Sequence, residues 1–363
     1  MTNKIFFLIL PAEPNILYSS KKIIHHLTLK NTCNILNFEK ILKIRDDKMK
    51  LVIIEPLGVA KDTLLKMAEE ALGESLEIVY YDNRTTDTNT LIERGKDADI
   101  IAVSNLPLNR DVIDGCKNLK MLAVAFTGVD HIAMDACKER NIIVSNCAGY
   151  SNAAVSDLVF GLLISIYRNI IPCNEVVRKA GTKDGLVGFE LEGKKFGVVG
   201  TGAIGSRVCN IAKAFGCEVY AYSRTVKELD GINYVDLDTL LSTCDVVSLH
   251  VPLNDSTKGL INKEKLSLMK SNAVLINTAR GPVVDSQALA DALNEGKIAG
   301  AGVDVFETEP PIAEDHVLLS AKNLIATPHI AFATKEALIK RAVIVFDNIV
   351  AFLNGAPKNV MNK

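Results

Sequence analysis

The segment Lys195-Phe196-Gly197-Val198-Val199-Gly200-Thr201-Gly202-Ala203-Ile204-Gly205 leaves this chain little structural freedom, because a short apolar run passes into three spaced glycines and then into a helical pattern, 208–215. Strand, turn and helix in that order make a grip for a dinucleotide pyrophosphate. Gly200 permits the tight turn, Gly202 lets the backbone approach phosphate oxygens, and Gly205 lets the helix pack on the strand. The amides of Ala203 and Ile204 then open the helix and face the anion. A parallel sheet with helices on both faces is the fold that carries such a turn.

The residue that selects between the two nicotinamide cofactors is expected at the end of the next strand, which is 218–222 and runs into Ser223-Arg224-Thr225. No carboxylate stands there to accept from a ribose 2′-hydroxyl. Ser223 and Arg224 instead offer a hydroxyl and a guanidinium, the donors suited to a 2′-phosphate. The expectation is NADP(H), with NAD(H) the alternative if Arg224 turns into solvent or stacks on adenine.

A chain of 363 residues, 48% hydrophobic and 23% charged, is long enough for two cores. Its net charge of −2 gives no electrostatic reason to expect nucleic acid or an anionic membrane as partner. The apolar run 5–10 stops at Pro11, too short for a span or a leader core. Eight cysteines without a C-x-x-C pair suggest neither zinc nor a disulfide framework, and a reducing cytoplasm fits them. His25 and His26 are adjacent, so a helix would point them apart, and no metal site is expected.

Residues 1–48 show no sustained period and are expected to be a poorly ordered extension; Met49 opens the first clear strand. From there short apolar runs alternate with helical stretches: 51–54, 76–81, 100–103, 121–125, 142–146, 195–199, 218–222, 246–249, 273–277, 300–305 and 324–326. That is too many strands for one mononucleotide fold. A long apolar helix, with Ser151 as its cap, precedes the glycine turn, and a last helix spans 335–353. The expected architecture is two-domain α/β, with the dinucleotide unit, 151–328, inserted into a substrate unit made of 49–150 and 329–363. The site should lie in the cleft between them.

Three further segments end predicted strands in the second half: Asn277-Thr278-Ala279-Arg280-Gly281-Pro282, the run from Val303-Asp304 to Glu309-Pro310, and Thr327-Pro328-His329. In their order, and with the glycine turn, they make residues 49–360 resemble the D-isomer-specific 2-hydroxyacid dehydrogenase family. The resemblance implies a Rossmann-type doubly wound sheet set into a flavodoxin-like domain, and a homodimer packed through the helix from Ser151 and segment 171–193. It implies that Arg280 clamps the substrate carboxylate and carbonyl, that His329 is the acid/base, and that Glu309 orients the histidine. Chemistry asks for the same parts, since reduction at C2 of a 2-oxo acid needs a cation for the carboxylate and a proton for the oxygen.

The resemblance further implies that the backbone of Thr127, Gly128 and Val129 holds the carboxylate. His250, Val251 and Pro252 would line the nicotinamide pocket, Thr278 and Ala279 would approach the same ring, and Asp304 would contact its carboxamide. His131 and His316 read as surface residues. Two departures bear on the substrate. Where phosphoglycerate dehydrogenases of the family carry an Arg-Ser pair, this chain has Val103-Ser104, and Ser223-Arg224-Thr225 resembles the NADPH-preferring glyoxylate and hydroxypyruvate reductases. A small 2-oxo acid with an uncharged tail, lodged near Asn105, Leu106 and Pro107, is therefore expected. D-3-phosphoglycerate dehydrogenase and a non-catalytic, nicotinamide-sensing corepressor are the alternatives.

Overall fold

The computed structural model describes residues 48–308 and 311–362. Among these, two all-parallel sheets form. The first contains β1 (Met49–Ile53), β2 (Leu76–Tyr80), β3 (Ile100–Val103), β4 (Met121–Val124) and β5 (Ile143–Ser145) in the order β2-β1-β3-β4-β5. Helices α1 (Lys61–Leu72), α2 (Thr88–Gly95), α3 (Arg110–Gly115) and α4 (Met134–Glu139) connect these strands. Every residue of β3 and β4 is buried, as strands covered on both faces must be.

From this sheet the chain enters α5 (Asn152–Tyr167) and α6 (Ile170–Arg178). Ser151 precedes α5 but makes no side-chain cap; it is itself buried at φ −105° and ψ 9°, which turns its hydroxyl from the role its residue type suggested. The helix is apolar on nearly every side because it serves two cores. Ala154 packs with the first sheet, while Val159, Phe160, Leu162 and Leu163 pack with Phe196, Val198 and Val274 of the second.

The second sheet contains β6 (Lys195–Val199), β7 (Glu218–Tyr222), β8 (Ile232–Tyr234), β9 (Val246–Leu249), β10 (Val274–Asn277), β11 (Gly300–Val303) and β12 (Leu324–Ala326). Their order is β12-β11-β10-β9-β6-β7-β8, so the direction of winding reverses between β6 and β9. Ligands of open parallel sheets bind at such a reversal. Helices α7 (Ala203–Ala214), α8 (Leu237–Thr243), α9 (Lys263–Leu268) and α10 (Ser286–Asn294) cross between these strands. The edge strand β8 has no counterpart in the sequence reading. The chain then returns, and α11 (Lys335–Leu353) buries Ala342, Val345, Phe346 and Ile349 against the first sheet, not the second.

Candidate active site

The turn after β6 is built as its glycines require. Gly200 has φ +98°, and a Cβ there would lie 2.7 Å from the His250 carbonyl oxygen; at Gly205 it would lie 1.9 Å from the Gly200 carbonyl oxygen. At Gly202 a Cβ would meet nothing within 4 Å, so this residue alone of the three opens onto space. That space is a recess of about 260 Å³ lined by Gly200, Thr201, Gly202, Ser223, Arg224, Thr225, Ser256 and Thr257, with no carboxylate among the described lining residues.

The recess shares His250, Val251 and Pro252 with a larger cleft of about 680 Å³ between the two sheets. Into that cleft come Thr127, Gly128, Val129, Ile204, Thr278, Ala279, Arg280 and His329. Asn277, buried at the end of β10, sets the Arg280 loop: its Oδ1 accepts from the Ala279 amide at 3.1 Å and its Nδ2 donates to the Arg280 carbonyl at 3.0 Å. Asn146 does the same for the facing loop, donating to the Thr127 carbonyl at 2.7 Å. Neither asparagine was singled out in the sequence, although an Asx residue closing a strand is a turn signal.

Arg280 and His329 meet on one ring. The Arg280 guanidinium lies 5.7 Å from the centroid of Phe126, and the His329 imidazole meets the same ring edge-on at 5.6 Å. Phe332 closes the other side of the imidazole at 5.4 Å. His329 itself adopts φ +55°, a left-handed conformation that a non-glycine residue holds only when its surroundings impose it. Asp304 imposes it: the His329 amide donates to the Asp304 carbonyl at 2.8 Å, and the Asp304 carboxylate accepts from Thr327 Oγ1 (2.5 Å), Ile330 N (2.8 Å) and Ala331 N (2.9 Å).

Several expectations change here. Asp304 is fully buried and does not line the cleft; its carboxylate is spent on the histidine loop. Leu106 is fully buried in the first core, and neither it, Asn105 nor Pro107 lines the cleft; Met134, Tyr150, Phe332 and Met361 form that wall instead. His316 is not a solvated residue, for its Nε2 lies 2.9 Å from Glu307 Oε2 and its ring meets Phe306 edge-on. His131 is half-buried, with its ring 6.3 Å from Phe126. Glu309 and the extension 1–47 lie outside the described residues.

A nicotinamide cofactor fits these residues. The Thr278 hydroxyl, buried in the wall of the cleft, finds no hydrogen-bond partner among the described residues, and a carboxamide would satisfy it. Burial pushes the His250 imidazole down to about 3, so it is neutral at pH 7; its Nε2 lies 2.8 Å from the Ser248 hydroxyl.

Residues 160–331 match the family model for the NAD binding domain of D-isomer specific 2-hydroxyacid dehydrogenases. The chain is 38% identical to the hydroxypyruvate reductase of Blautia hydrogenotrophica over 325 residues, 87% of this chain and 100% of the relative. It is 39% identical to the glyoxylate reductase of Thermococcus litoralis over 299 residues, 78% of this chain and 90% of the relative. Among solved structures, an acyclic imino acid reductase in complex with NADPH and D-Arg superposes with TM-score 0.79 and 32% identity, covering 86% of this chain and all of that one. With both sheets, the glycine turn and the Arg280 and His329 cleft in place, the chain belongs to the D-isomer-specific 2-hydroxyacid dehydrogenase family and is an oxidoreductase that uses a nicotinamide cofactor.

Proposed function

We propose that this protein reduces a small 2-oxo acid of the glyoxylate or hydroxypyruvate type at C2, with NADP(H) as the preferred cofactor. The observation that carries the reading is the meeting of Arg280 and His329 across Phe126 in a cleft continuous with the glycine turn. Arg280 holds the carboxylate and polarises the carbonyl, and the backbone of Thr127, Gly128 and Val129 takes the carboxylate from the other side. His329 donates a proton to the carbonyl oxygen during reduction and removes it in the reverse direction. Glu309 is assigned the orientation of that imidazole by resemblance. When bound, the nicotinamide ring supplies or accepts the hydride.

The charge of the substrate's tail follows from the wall. Tyr150, Phe332, Met134 and Met361 are uncharged, and Arg280 is the one Lys or Arg among the described residues lining the cleft. The Ser104 hydroxyl, where a phosphate-binding pair would stand, is buried and accepts from Arg341 at 3.2 Å. Both facts favour an uncharged tail over a phosphorylated one. The recess containing Ser223, Arg224 and Thr225 supports NADP(H). The working division is a cofactor unit, 151–328, within a substrate unit of 49–150 and 329–363; the packing of α11 on the first sheet supports it. A reducing cytoplasm is supported by the seven described cysteines, all free thiols.

The test is catalytic efficiency with glyoxylate, hydroxypyruvate and phosphohydroxypyruvate, each with NADPH and NADH. Two charged hydrogen bonds to a 2′-phosphate, partly offset by desolvation, predict a preference for NADPH of roughly 10- to 100-fold. Ser223→Asp with Arg224→Ala should reverse it. Equal or better use of NADH by the unmodified protein would turn Arg224 out of the site and remove the cofactor preference, leaving the family assignment intact.

A further inference from the structure

Asp130 belongs to none of the roles above, yet it holds the residue on which they depend. Arg280 Nε and Nη2 both reach Asp130 Oδ1 at 3.3 Å, and Nη1 donates to the Ala279 carbonyl at 2.8 Å. A guanidinium carries five N–H groups in one plane. The side-on edge, Nε with one hydrogen of Nη2, is therefore turned to Asp130, and the Nη1 hydrogen nearer the stem is turned to Ala279. What remains is the end-on edge, one hydrogen each from Nη1 and Nη2, which no hydrogen bond among the described residues takes. Two parallel N–H groups there match one carboxylate oxygen and the carbonyl oxygen of a 2-oxo acid.

The guanidinium is held closely by its own loop and the facing one. A Cβ at Gly128 would lie 1.9 Å from Arg280 Nη2, so the guanidinium rests directly against Gly128, and the Phe126 ring flanks it. Burial, the largest single influence, would raise the Asp130 carboxyl, but the charge of Arg280, the hydrogen bonds the carboxylate accepts and nearby His131 together keep the group below its ordinary range, hence ionised at pH 7. We propose that Asp130 is a positioning residue, which takes the side-on edge of Arg280 and so presents the end-on edge to the reacting acid. The proposal rests on Arg280 being the carboxylate clamp.

The experiment is a cycle of Asp130→Ala, Arg280→Ala and the double variant, with Asp130→Asn as the isosteric control, assayed with hydroxypyruvate and NADPH. Asp130→Ala should lower kcat/KM roughly 10- to 100-fold, the effect of a clamp misplaced by about an ångström. NADPH affinity and Tm should stay as in the wild type, and Asp130→Asn, which keeps one acceptor, should fall between. With Arg280→Ala already present, Asp130→Ala should change kcat/KM less than about twofold, because its action runs through the missing side chain. Losses that multiply in the double variant, or an Asp130→Ala enzyme within twofold of wild type, overturn the proposal. A wild type that turns over no 2-oxo acid with either cofactor removes the functional reading instead. Calorimetric binding of oxalate to the NADPH-loaded protein then decides the matter, equal affinity in wild type and Asp130→Ala being the overturning result.

Discussion

At the residue scale, His250 shows how a cofactor site is charged against folding. Its imidazole, packed where β6 and β9 part, is pushed down to about 3, whereas in an unfolded chain an imidazole titrates near 6.5. Between those values the unfolded chain binds a proton that the folded one refuses. Stability from this group is thus complete above about pH 6.5 and is lost as the pH falls toward 3, on the order of 2 kcal/mol by pH 5. Urea unfolding at pH 7.5 and pH 5 measures it. The wild type should weaken at pH 5, and His250→Gln, which keeps a polar partner for Ser248 and does not titrate, should weaken less by about that amount. Equal losses in both proteins would mean that the folded cleft accepts the proton.

At the element scale, the glycine turn separates folding from binding within one motif. Gly205 has no room for a methyl group, since its Cβ would lie 1.9 Å from the Gly200 carbonyl oxygen, whereas Gly202, at φ −64°, is open and unstrained. Gly205→Ala should therefore part α7 from β6 and lower stability by roughly 1–3 kcal/mol. Gly202→Ala should leave Tm unchanged and weaken NADPH binding about tenfold or more, because its methyl takes space that the diphosphate needs. Thermal melts with and without cofactor distinguish the two; a stable Gly202→Ala protein with wild-type affinity would place the diphosphate elsewhere. The strands were legible for a related reason. In β3, β4, β9 and β10 every residue is buried, so the apolar runs are unbroken, while β8 is three residues at an edge, none of them buried, and leaves no such mark.

At the scale of the whole molecule, the largest unexplained feature is the apolar surface around α6. Val177, Val187 and Phe189 are 66%, 80% and 58% exposed, and Ile171, Pro172 and Phe189 border a hollow of about 350 Å³ with Tyr167, Leu324 and the polar Asn169, Asn272 and Asn323. Exposed apolar groups so concentrated mark an interface. We expect a homodimer closed over this face, sedimenting at twice 39.4 kDa, and a Val187→Asp, Phe189→Asp variant that sediments as the monomer. A wild type that sediments at 39.4 kDa would rule the dimer out. No single helix among the described residues is long and apolar enough to cross a membrane, and the bent pair α5 and α6 that comes nearest already buries much of α5 between the two sheets.

The sequence by itself determined whatever depends on local chemistry. Glycine spacing set the β6–α7 turn, unbroken apolar runs set the parallel strands, and the order of the Arg280 and His329 segments identified the family. Tertiary structure decided everything that depends on which strand ends face one another. Asp304 became the clasp of the histidine loop because β11 and the 327–331 turn lie side by side. Asp130 met Arg280 only because the first sheet presents its 127–130 loop to the second. Met134, Tyr150 and Met361, far apart in the chain, became one wall of the cleft. Contacts of this kind are made by side chains whose neighbours are remote in sequence, and no local pattern records them.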